Sequence, residues 1–145
     1  MLALIQRVST AQVDIGNQCY SKISNGLLIL CGFKASDNLN SCLTLLERCF
    51  KYRIFADDND KMNLSLLDIE AEALIVPQFT LVADTKSGLR PSFSKGLAPT
   101  AGKALFSEIN QHLPARYERV QFGQFGADMQ VQLCNDGPVT FLLEN

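Results

Sequence analysis

Two polar side chains interrupt an apolar segment of the sequence, VPQFTLVAD, which covers positions 76 to 84. Gln78 and Thr80 are two residues apart, so on a β-strand their side chains would lie on one face and that of Phe79 on the other. An amide, a hydroxyl and the backbone N–H groups beside Pro77 can stabilise an oxyanion without a charged group. An edge strand with one hydrated face gives the same pattern. The segment therefore indicates either a polar pocket or a half-exposed strand.

Most of the usual catalytic motifs are absent from the sequence. The single histidine, His112, has no nucleophile motif beside it, and we expect it to be exposed or to cap a helix. No P-loop, GxGxxG or HExxH motif occurs, so we expect neither a cofactor nor a metal. The acidic pair Asp57-Asp58 lies in a polar segment, where hydration explains it better than acid–base catalysis. The five cysteines form no CxxC pair, which favours reduced thiols buried as small hydrophobic residues.

The distribution of charge restricts the possible partners. A net charge of −2 excludes a globally basic nucleic-acid binder. The segment DTKSGLRPSFSK nevertheless carries three cations, Lys86, Arg90 and Lys95, against one acid, Asp84. We interpret this segment as the best candidate to meet an anion, and a solvated surface loop is the alternative interpretation.

The stretch NDGPVT, at positions 135 to 140, contains one residue more than a turn needs. Asn135-Asp136-Gly137 suffices for a tight turn, whereas Pro138 removes a backbone donor where the last strand should begin to pair. Gly-Pro is also a sequence in which a cis peptide bond costs little. The pair therefore indicates either a plain entrance to the last strand or a backbone whose carbonyl groups are aimed at a ligand.

The hydrophobic pattern predicts the elements that hold these residues. LALIQRVSTAQVDI and CYSKI alternate as strands do, and LLILCGF is a continuous apolar run typical of a strand covered on both faces. A helix should follow, capped by Ser36 or Asp37 and ending near Tyr52. The apolar face of that helix would consist of Leu39, Leu43, Leu46 and Phe50.

The second half of the chain predicts one more helix and several strands. ADDNDKMN is typical of a polar loop, and EALIVPQFTLVAD of a buried strand interrupted by Pro77. RVQFGQFG, ADMQVQLC and VTFLLE alternate as short strands, separated by glycines and by the Asn-Asp-Gly-Pro turn. Between these two groups, a helix should end before Pro114. Its apolar face would carry Ala101, Ala104, Leu105, Ile109 and Leu113.

Together these elements indicate one domain over residues 1–145 of the mixed α/β class, with two helices against a large sheet. Hydrophobic residues make up 47% of the chain and charged residues 19%, proportions typical of a soluble globular protein. No apolar run approaches the ~20 residues that span a bilayer. Arg7 interrupts the first apolar segment before a signal sequence can form. We therefore expect a cytoplasmic protein without a membrane partner.

Five short segments identify a family when they are taken together and in order: LIQRV at 4–8, YRIF at 52–55, QFTL at 78–81, RPSFSKG at 90–96 and NDGPVTF at 135–141. With these segments the chain resembles the D-aminoacyl-tRNA deacylases, first called D-tyrosyl-tRNA deacylases, from end to end. The two signatures of that family are Ser-Gln-Phe-Thr-Leu and Asn-x-Gly-Pro-Val-Thr. The second is intact, and Pro77 replaces the serine of the first. We expect activity to survive this change, with altered substrate positioning.

The resemblance implies a fold and a reaction. The fold would be a single-domain layered structure with a large mixed β-sheet or open barrel and two helices. The reaction would be hydrolysis of the ester that joins a D-amino acid to the terminal ribose of tRNA. The protein would bind the single-stranded 3′ end of aminoacyl-tRNA, with Lys86, Arg90 and Lys95 near phosphates. We expect no DNA partner.

The resemblance also implies a role for Gly137 and Pro138. In the family this peptide bond is cis, and its carbonyl groups enter the active site of the partner subunit of a homodimer. Carried onto this chain, the two residues would form a chiral filter that collides with an L side chain. Because glycine has no side chain to collide, glycyl-tRNA(Ala) would be a second substrate. Arg7 would hold the Gly-Pro carbonyl groups by hydrogen bonds, or else project into solvent.

The lack of an evident general base favours substrate-assisted hydrolysis. We expect the ribose 2′-OH to assist attack by water, backbone N–H groups around Phe79 and Thr80 to bind the oxyanion, and Gln78 to shape the pocket. Covalent catalysis through Thr80 is the alternative mechanism, although a threonine without a base is a weak nucleophile. A non-catalytic module that binds a tRNA end or a small ligand is the alternative function.

Overall fold

The computed structural model of the chain describes residues 1–86 and 88–145. The strands are β1 (Leu2–Ile15), β2 (Gln18–Ile23), β3 (Gly26–Gly32), β4 (Phe55–Ala56), β5 (Met62–Leu64), β6 (Glu72–Pro77), β7 (Val120–Phe122) and β8 (Gln130–Glu144). The helices are α1 (Leu39–Phe50), the short 3₁₀ helix Phe79–Val82 and α2 (Pro99–His112).

The main sheet is mixed and is organised around β1. Its strands follow the order β2-β1-β3-β6-β7, and β8 also pairs with β1. β1 is antiparallel to β2, β3 and β8, whereas β3 is parallel to β6 and β6 to β7. β8 runs along one side of β1, and β3 and β2 share the other side in succession. The expected mixed sheet with two α-helices is confirmed.

Buried side chains form one cluster on each face of the main sheet. The larger cluster includes Ile29 and Ile75 and lies between the sheet and helices α1 and α2. The smaller cluster includes their sequence neighbours Leu28 and Leu74, whose side chains alternate to the opposite face. On that face β2 curls over to contact β6 and β7, so that half of the sheet forms an open barrel.

The N-terminal end of α1 differs from the sequence-based prediction. Asn38, rather than Ser36 or Asp37, is the cap: its side chain accepts from the Ser41 backbone N–H at 3.0 Å, and Ser41 Oγ accepts from the Asn38 backbone N–H at 3.1 Å. Asp37 cannot serve because its carboxylate accepts from the Lys34 backbone N–H at 2.6 Å and pairs with the Met1 ammonium group at 2.5 Å. The helix then ends at Phe50, close to the predicted end.

The inward face of α2 is rotated relative to the predicted one. Ala101 and Ala104 are exposed, and the helix instead buries Gly102 and Phe106 together with the expected Leu105 and Ile109. Gly102 permits this approach, since a Cβ atom there would lie 3.0 Å from the Phe125 ring. The prediction failed because it favoured apolar residue types, whereas the glycine is the residue whose lack of a side chain lets the helix pack closely.

Two segments that were predicted to be irregular have different outcomes. Most of ADDNDKMN is the predicted polar loop: residues 57–61 form the turn of the small β4–β5 hairpin, and only its ends belong to strands. Asp57 accepts from the backbone N–H groups of Asn59 and Lys61 at 2.8 and 3.0 Å. The Asn-Asp-Gly-Pro segment does not separate two strands, because β8 continues through it. In the part of the chain that the structure describes, neither α-helix has the length and hydropathy needed to cross a membrane.

Candidate active site

The candidate active site begins where β6 ends. Pro77 is the last residue of β6, and the Gln78 N–H donates to the Cys31 carbonyl at 2.7 Å as the chain leaves the sheet. The chain then turns into the 3₁₀ helix, with Leu81 N–H donating to the Gln78 carbonyl at 3.3 Å. The expectation that Gln78 and Thr80 share one face of a strand is therefore wrong. A proline has no N–H with which to continue the ladder, and the chain leaves the sheet at that residue.

Gln78 and Thr80 nevertheless meet, for a different geometric reason. Gln78 Nε2 donates a hydrogen bond to Thr80 Oγ1 across the first turn of the 3₁₀ helix. Because the Thr80 oxygen accepts from an amide, its own hydrogen stays available for donation to a ligand. Thr80 is exposed, so a ligand can reach the hydroxyl group. The structure gives Thr80 Oγ1 an amide neighbour rather than a base.

An apolar cavity of about 440 Å³ adjoins this turn. Four phenylalanines from separate parts of the chain line it, together with glycines that leave room between the rings. Phe79 is 62% exposed, and its ring centroid lies 5.0 Å from that of Phe93. None of the residues that line the cavity carries a titratable side chain. The principal lining residues are Phe33, Phe79, Phe93, Phe125, Gly96, Gly102 and Gly126.

The segment DTKSGLRPSFSK, residues 84–95, which we call the basic loop, contributes Phe93 to the lining of this cavity. Its base is closed by two backbone hydrogen bonds between Asp84 and Ser92, of 2.7 and 3.0 Å. Lys95 Nζ lies 2.7 Å from Asp84 Oδ2, and this hydrogen bond lowers the pKa of Asp84. The charge of Lys95 therefore has a partner within the loop. Lys86 and Arg90 are exposed beyond the closure, and Ser87 lies outside the described residues.

The Gly-Pro segment lies elsewhere on the chain, in the middle of β8. Asn135 pairs with Val8 and Thr140 pairs with Gln6, so the four residues between them, Asp136–Val139, bulge away opposite one residue of β1. We call these four residues the β8 excursion. The Gly137-Pro138 peptide bond within it is cis, the geometry expected from the sequence.

A glycine is required at position 137. Its φ of +132° lies in a region that L side chains rarely adopt, and a Cβ atom would approach Val139 Cγ2 to 2.5 Å. Both Gly137 and Pro138 are exposed. Neither residue lines the phenylalanine cavity of its own chain.

Arg7 is the residue of β1 that faces the β8 excursion. Its side chain is only 14% exposed, so the alternative in which it projects into solvent is wrong. Nε donates to the Asp136 carbonyl at 3.1 Å and lies 3.1 Å from Asp136 Oδ2, and Nη1 donates to the Ile54 carbonyl at 2.8 Å. The hydrogen bond thus goes to the carbonyl before Gly137, not to those of Gly137 or Pro138 as expected. The register places Arg7 beneath the start of the excursion.

The three buried cysteines do not offer a nucleophile. Burial raises the pKa of Cys42 to about 11 and that of Cys49 to about 12, and it also raises the pKa of Cys31. These thiols are therefore protonated at neutral pH. Cys19 and Cys134 are exposed, which corrects the expectation that all five are buried, and all five are free. Across residues 1–86 and 88–145, no cluster of histidine, cysteine and acidic side chains could hold a metal ion.

The sequence singled out the polar residues of the candidate site but not its apolar wall. Phe33 and Phe125 are distant in sequence from QFTL, and no spacing pattern connects them to it. Likewise, nothing in the sequence indicates that the Ile54 carbonyl is a partner of Arg7. The single histidine lies away from this region, exposed in the last turn of α2.

Known proteins resemble this chain over nearly its whole length. Residues 4–144 match the family model described as D-Tyr-tRNA(Tyr) deacylase. Proteins named D-aminoacyl-tRNA deacylase are 53% identical in Legionella pneumophila (strain Lens), over 99% of both chains, and 48% identical in Pseudomonas aeruginosa (strain LESB58), over the whole of both chains.

Two solved structures have the same fold. One, titled c-Myc DNA Unwinding Element Binding Protein, aligns with a TM-score of 0.93 and 32% identity, over 100% of this chain and 99% of that one. The other is titled as a probable eukaryotic D-amino acid tRNA deacylase. It aligns with a TM-score of 0.82 over 98% and 97% of the two chains, and at 18% identity it supports the fold alone. Because the family model and close relatives cover nearly the whole sequence, the chain belongs to the D-aminoacyl-tRNA deacylase family.

Proposed function

We propose that the protein hydrolyses the ester between a D-amino acid and the terminal ribose of tRNA. The observation that carries this proposal is the junction at the end of β6, where Phe79 lines an apolar cavity with no titratable lining and Thr80 follows it in the 3₁₀ helix. Backbone N–H groups can stabilise an oxyanion without a charged residue. Aminoacyl esters are reactive enough to need little more than this stabilisation.

The reaction we infer uses a hydroxyl group of the substrate as its proton carrier. Water attacks the ester carbonyl, the new C–O bond forms, and the oxyanion accepts hydrogen bonds from the N–H groups of Phe79 and Thr80. The bond to the ribose oxygen then breaks, and the neighbouring 2′-OH relays the proton of the water to that oxygen. Gln78 fixes the Thr80 hydroxyl, whose hydrogen remains free to donate to the substrate. No acyl-enzyme forms in this reaction, and covalent catalysis through Thr80 remains the alternative.

The phenylalanine cavity offers a place for the last base of the RNA. Single-stranded RNA is commonly bound by stacking its bases on aromatic side chains. The exposed, tilted rings of Phe79 and Phe93 provide such a surface, beside the residues that would meet the ester. The neighbouring exposed cations of the basic loop, Lys86 and Arg90, would then contact phosphates with little readout of base identity. Lys95 is less suited to this role, because Asp84 already neutralises it.

We infer that selection against L-amino acids requires a second copy of the chain. Gly137 and Pro138 are exposed and do not line the cavity of their own chain, so they could serve a site on a partner. A row of apolar residues lies on the face of the sheet opposite the two α-helices: Leu4 pairs with both Leu30 and Leu142, and Leu142 is 58% exposed. Covering this row by a two-fold partner would bury it and supply two equivalent sites.

A filter made of backbone atoms would act on the stereochemistry of the substrate rather than on its side-chain identity. An L side chain would meet the excursion, and a D side chain would point away from it. Glycine has no side chain to exclude, so glycyl-tRNA(Ala) is the second substrate we propose.

The decisive experiment compares two substrates of opposite chirality. Purified protein is incubated with D-tyrosyl-tRNA and with L-tyrosyl-tRNA, and the release of tyrosine is followed. We expect release from the D substrate and protection of the L substrate. Binding of both esters without release would favour the alternative function of a non-catalytic module for tRNA ends.

A further inference from the structure

The segment Tyr52–Phe55 connects α1 to the β4–β5 hairpin and has no role in the reaction as proposed so far. Its centre is firmly anchored, since the side chain of Ile54 is 0% exposed in the larger core cluster. A buried side chain fixes the backbone that carries it. The Ile54 carbonyl is therefore a stationary acceptor just inside the surface of the protein.

This stationary carbonyl is connected to the β8 excursion through one side chain. Arg7 Nη1 donates to the Ile54 carbonyl at 2.8 Å, and Nε of the same guanidinium donates to the Asp136 carbonyl at 3.1 Å. The planar guanidinium group is rigid, so a fixed position at one nitrogen fixes the other. Asp136 adds its carboxylate, with Oδ2 at 3.1 Å from Nε. The first residue of the excursion is thereby held at both its backbone and its side chain.

The far end of the excursion is attached to the same segment by a second contact. The ring of Tyr52 packs edge-on against that of Phe141, with centroids 5.4 Å apart and planes at 61°. Phe141 follows Thr140, the residue at which β8 resumes pairing with β1. Two residues of one segment, Tyr52 and Ile54, thus contact both sides of the excursion, one through an aromatic ring and one through Arg7.

We propose that the segment Tyr52–Phe55 is a brace that positions Gly137 and Pro138, and that Tyr52 and Asp136 are positioning residues that determine chiral selectivity. The inference rests on the proposed function, because it requires the excursion to meet the substrate. Discrimination by backbone sterics depends on placement, and a displacement of about 1 Å can change a rate by about 100-fold. A loosened excursion admits an L substrate and positions the D substrate less well. The ratio of the rates on the D and the L substrate therefore measures how well the brace holds Gly137 and Pro138 in place.

The test measures kcat/KM for D-tyrosyl-tRNA and L-tyrosyl-tRNA with Tyr52→Leu and Tyr52→Phe proteins. We expect Tyr52→Leu to lower the D-to-L ratio of kcat/KM by about 10-fold or more, because the aromatic contact with Phe141 is lost. Tyr52→Phe keeps the ring and should keep the ratio. Tyr20→Leu is the matched control: Tyr20 is a 52% exposed tyrosine on β2, and its replacement should leave the ratio unchanged.

A second pair of variants tests the other end of the brace without altering the core. Asp136 is a surface residue with a side chain that is 54% exposed, so Asp136→Ala should fold normally even if Tyr52→Leu does not. We expect Asp136→Ala to lower the ratio by about 3-fold to 10-fold, and Asp136→Asn to retain most of it through a hydrogen bond from Arg7.

Two outcomes would separate this inference from the function on which it rests. If Tyr52→Leu and Asp136→Ala changed the rates on both substrates by the same factor, the segment would be structural only and the inference would be overturned. If the unaltered protein failed to release tyrosine from D-tyrosyl-tRNA, the proposed function itself would be overturned, and the inference with it.

Discussion

At the scale of single residues, the site depends on polar groups held by neutral neighbours. Thr80 Oγ1 accepts from the Gln78 amide, and the cavity beside it is lined by side chains that do not titrate. Such an arrangement lacks the base that a threonine nucleophile requires. It is suited to hydrogen-bond donation, either from backbone N–H groups or from the hydroxyl group itself.

Replacement of Thr80 distinguishes the two mechanisms. We expect Thr80→Ala to retain substantial deacylase activity, with a loss of about 10-fold or less in kcat, because the backbone N–H remains and only one hydroxyl donor is removed. Single-turnover rates with D-tyrosyl-tRNA would measure the effect. A trapped ester on Thr80, or a loss of several orders of magnitude in a correctly folded variant, would instead establish covalent catalysis.

The reactivity of the thiols gives a second prediction at this scale. Cys19 and Cys134 are exposed, whereas Cys31, Cys42 and Cys49 are buried with raised pKa values. A water-soluble disulfide reagent at pH 8 should therefore label the first two rapidly in the native protein and all five in denaturant. Peptide mapping would identify the labelled sites. Rapid native labelling of Cys49 would contradict the packing of α1 against the sheet.

At the scale of elements, the hydrophobic pattern predicted strands and helices well where burial of one face fixes the position of the element. The segment LALIQRVSTAQVDI is β1, and the apolar face Leu39, Leu43, Leu46 and Phe50 belongs to α1. Predictions failed at the ends of elements. The end of an element depends on which group hydrogen-bonds to its free backbone N–H and C=O groups, and that group is often remote in sequence.

The cap of α1 provides a direct test of one such end. Asn38→Ala removes the acceptor for the Ser41 N–H and half of the capping box, and should lower the free energy of unfolding by about 1 kcal/mol. Ser36→Ala changes an exposed residue that caps nothing, and should alter it by less than about 0.5 kcal/mol. Urea denaturation of both variants provides the measurement. Equal effects would show that the cap had been assigned to the wrong residue.

At the scale of the whole molecule, the cavity is separated from the Gly-Pro segment of the same chain. The Gly-Pro segment lies within β8, whereas no residue that lines the cavity belongs to β8, so the cavity of a chain is not lined by its own excursion. A complete site for chiral selection therefore calls for a second chain, which is the reason for proposing a homodimer. The row of Leu4, Leu30 and Leu142 is the surface that we expect the partner to cover.

The oligomeric state tests this proposal. Light scattering at micromolar concentration should give about twice the chain mass of 16.0 kDa. Leu142→Glu places a charge in the row formed with Leu4 and Leu30, and should shift the protein toward the monomer and reduce deacylation. Met62→Glu, at a similarly exposed apolar residue of the β4–β5 hairpin, is the control and should stay dimeric. If the unaltered protein gave only a 16.0 kDa species in light scattering, the proposal of a dimer would be refuted.

The family, the class of fold and most of the elements were predictable from the amino-acid sequence, because they follow from local periodicity and from short segments in a fixed order. The sequence also singled out Gln78, Thr80 and Gly137-Pro138. Only the tertiary structure decided how they are arranged: the turn that brings Gln78 to Thr80, the cavity wall, and the continuation of β8 through its excursion. The cavity wall and the path of β8 depend on contacts between residues far apart in sequence, and the turn depends on where β6 separates from β3, which neither the pattern nor the propensity of a segment encodes.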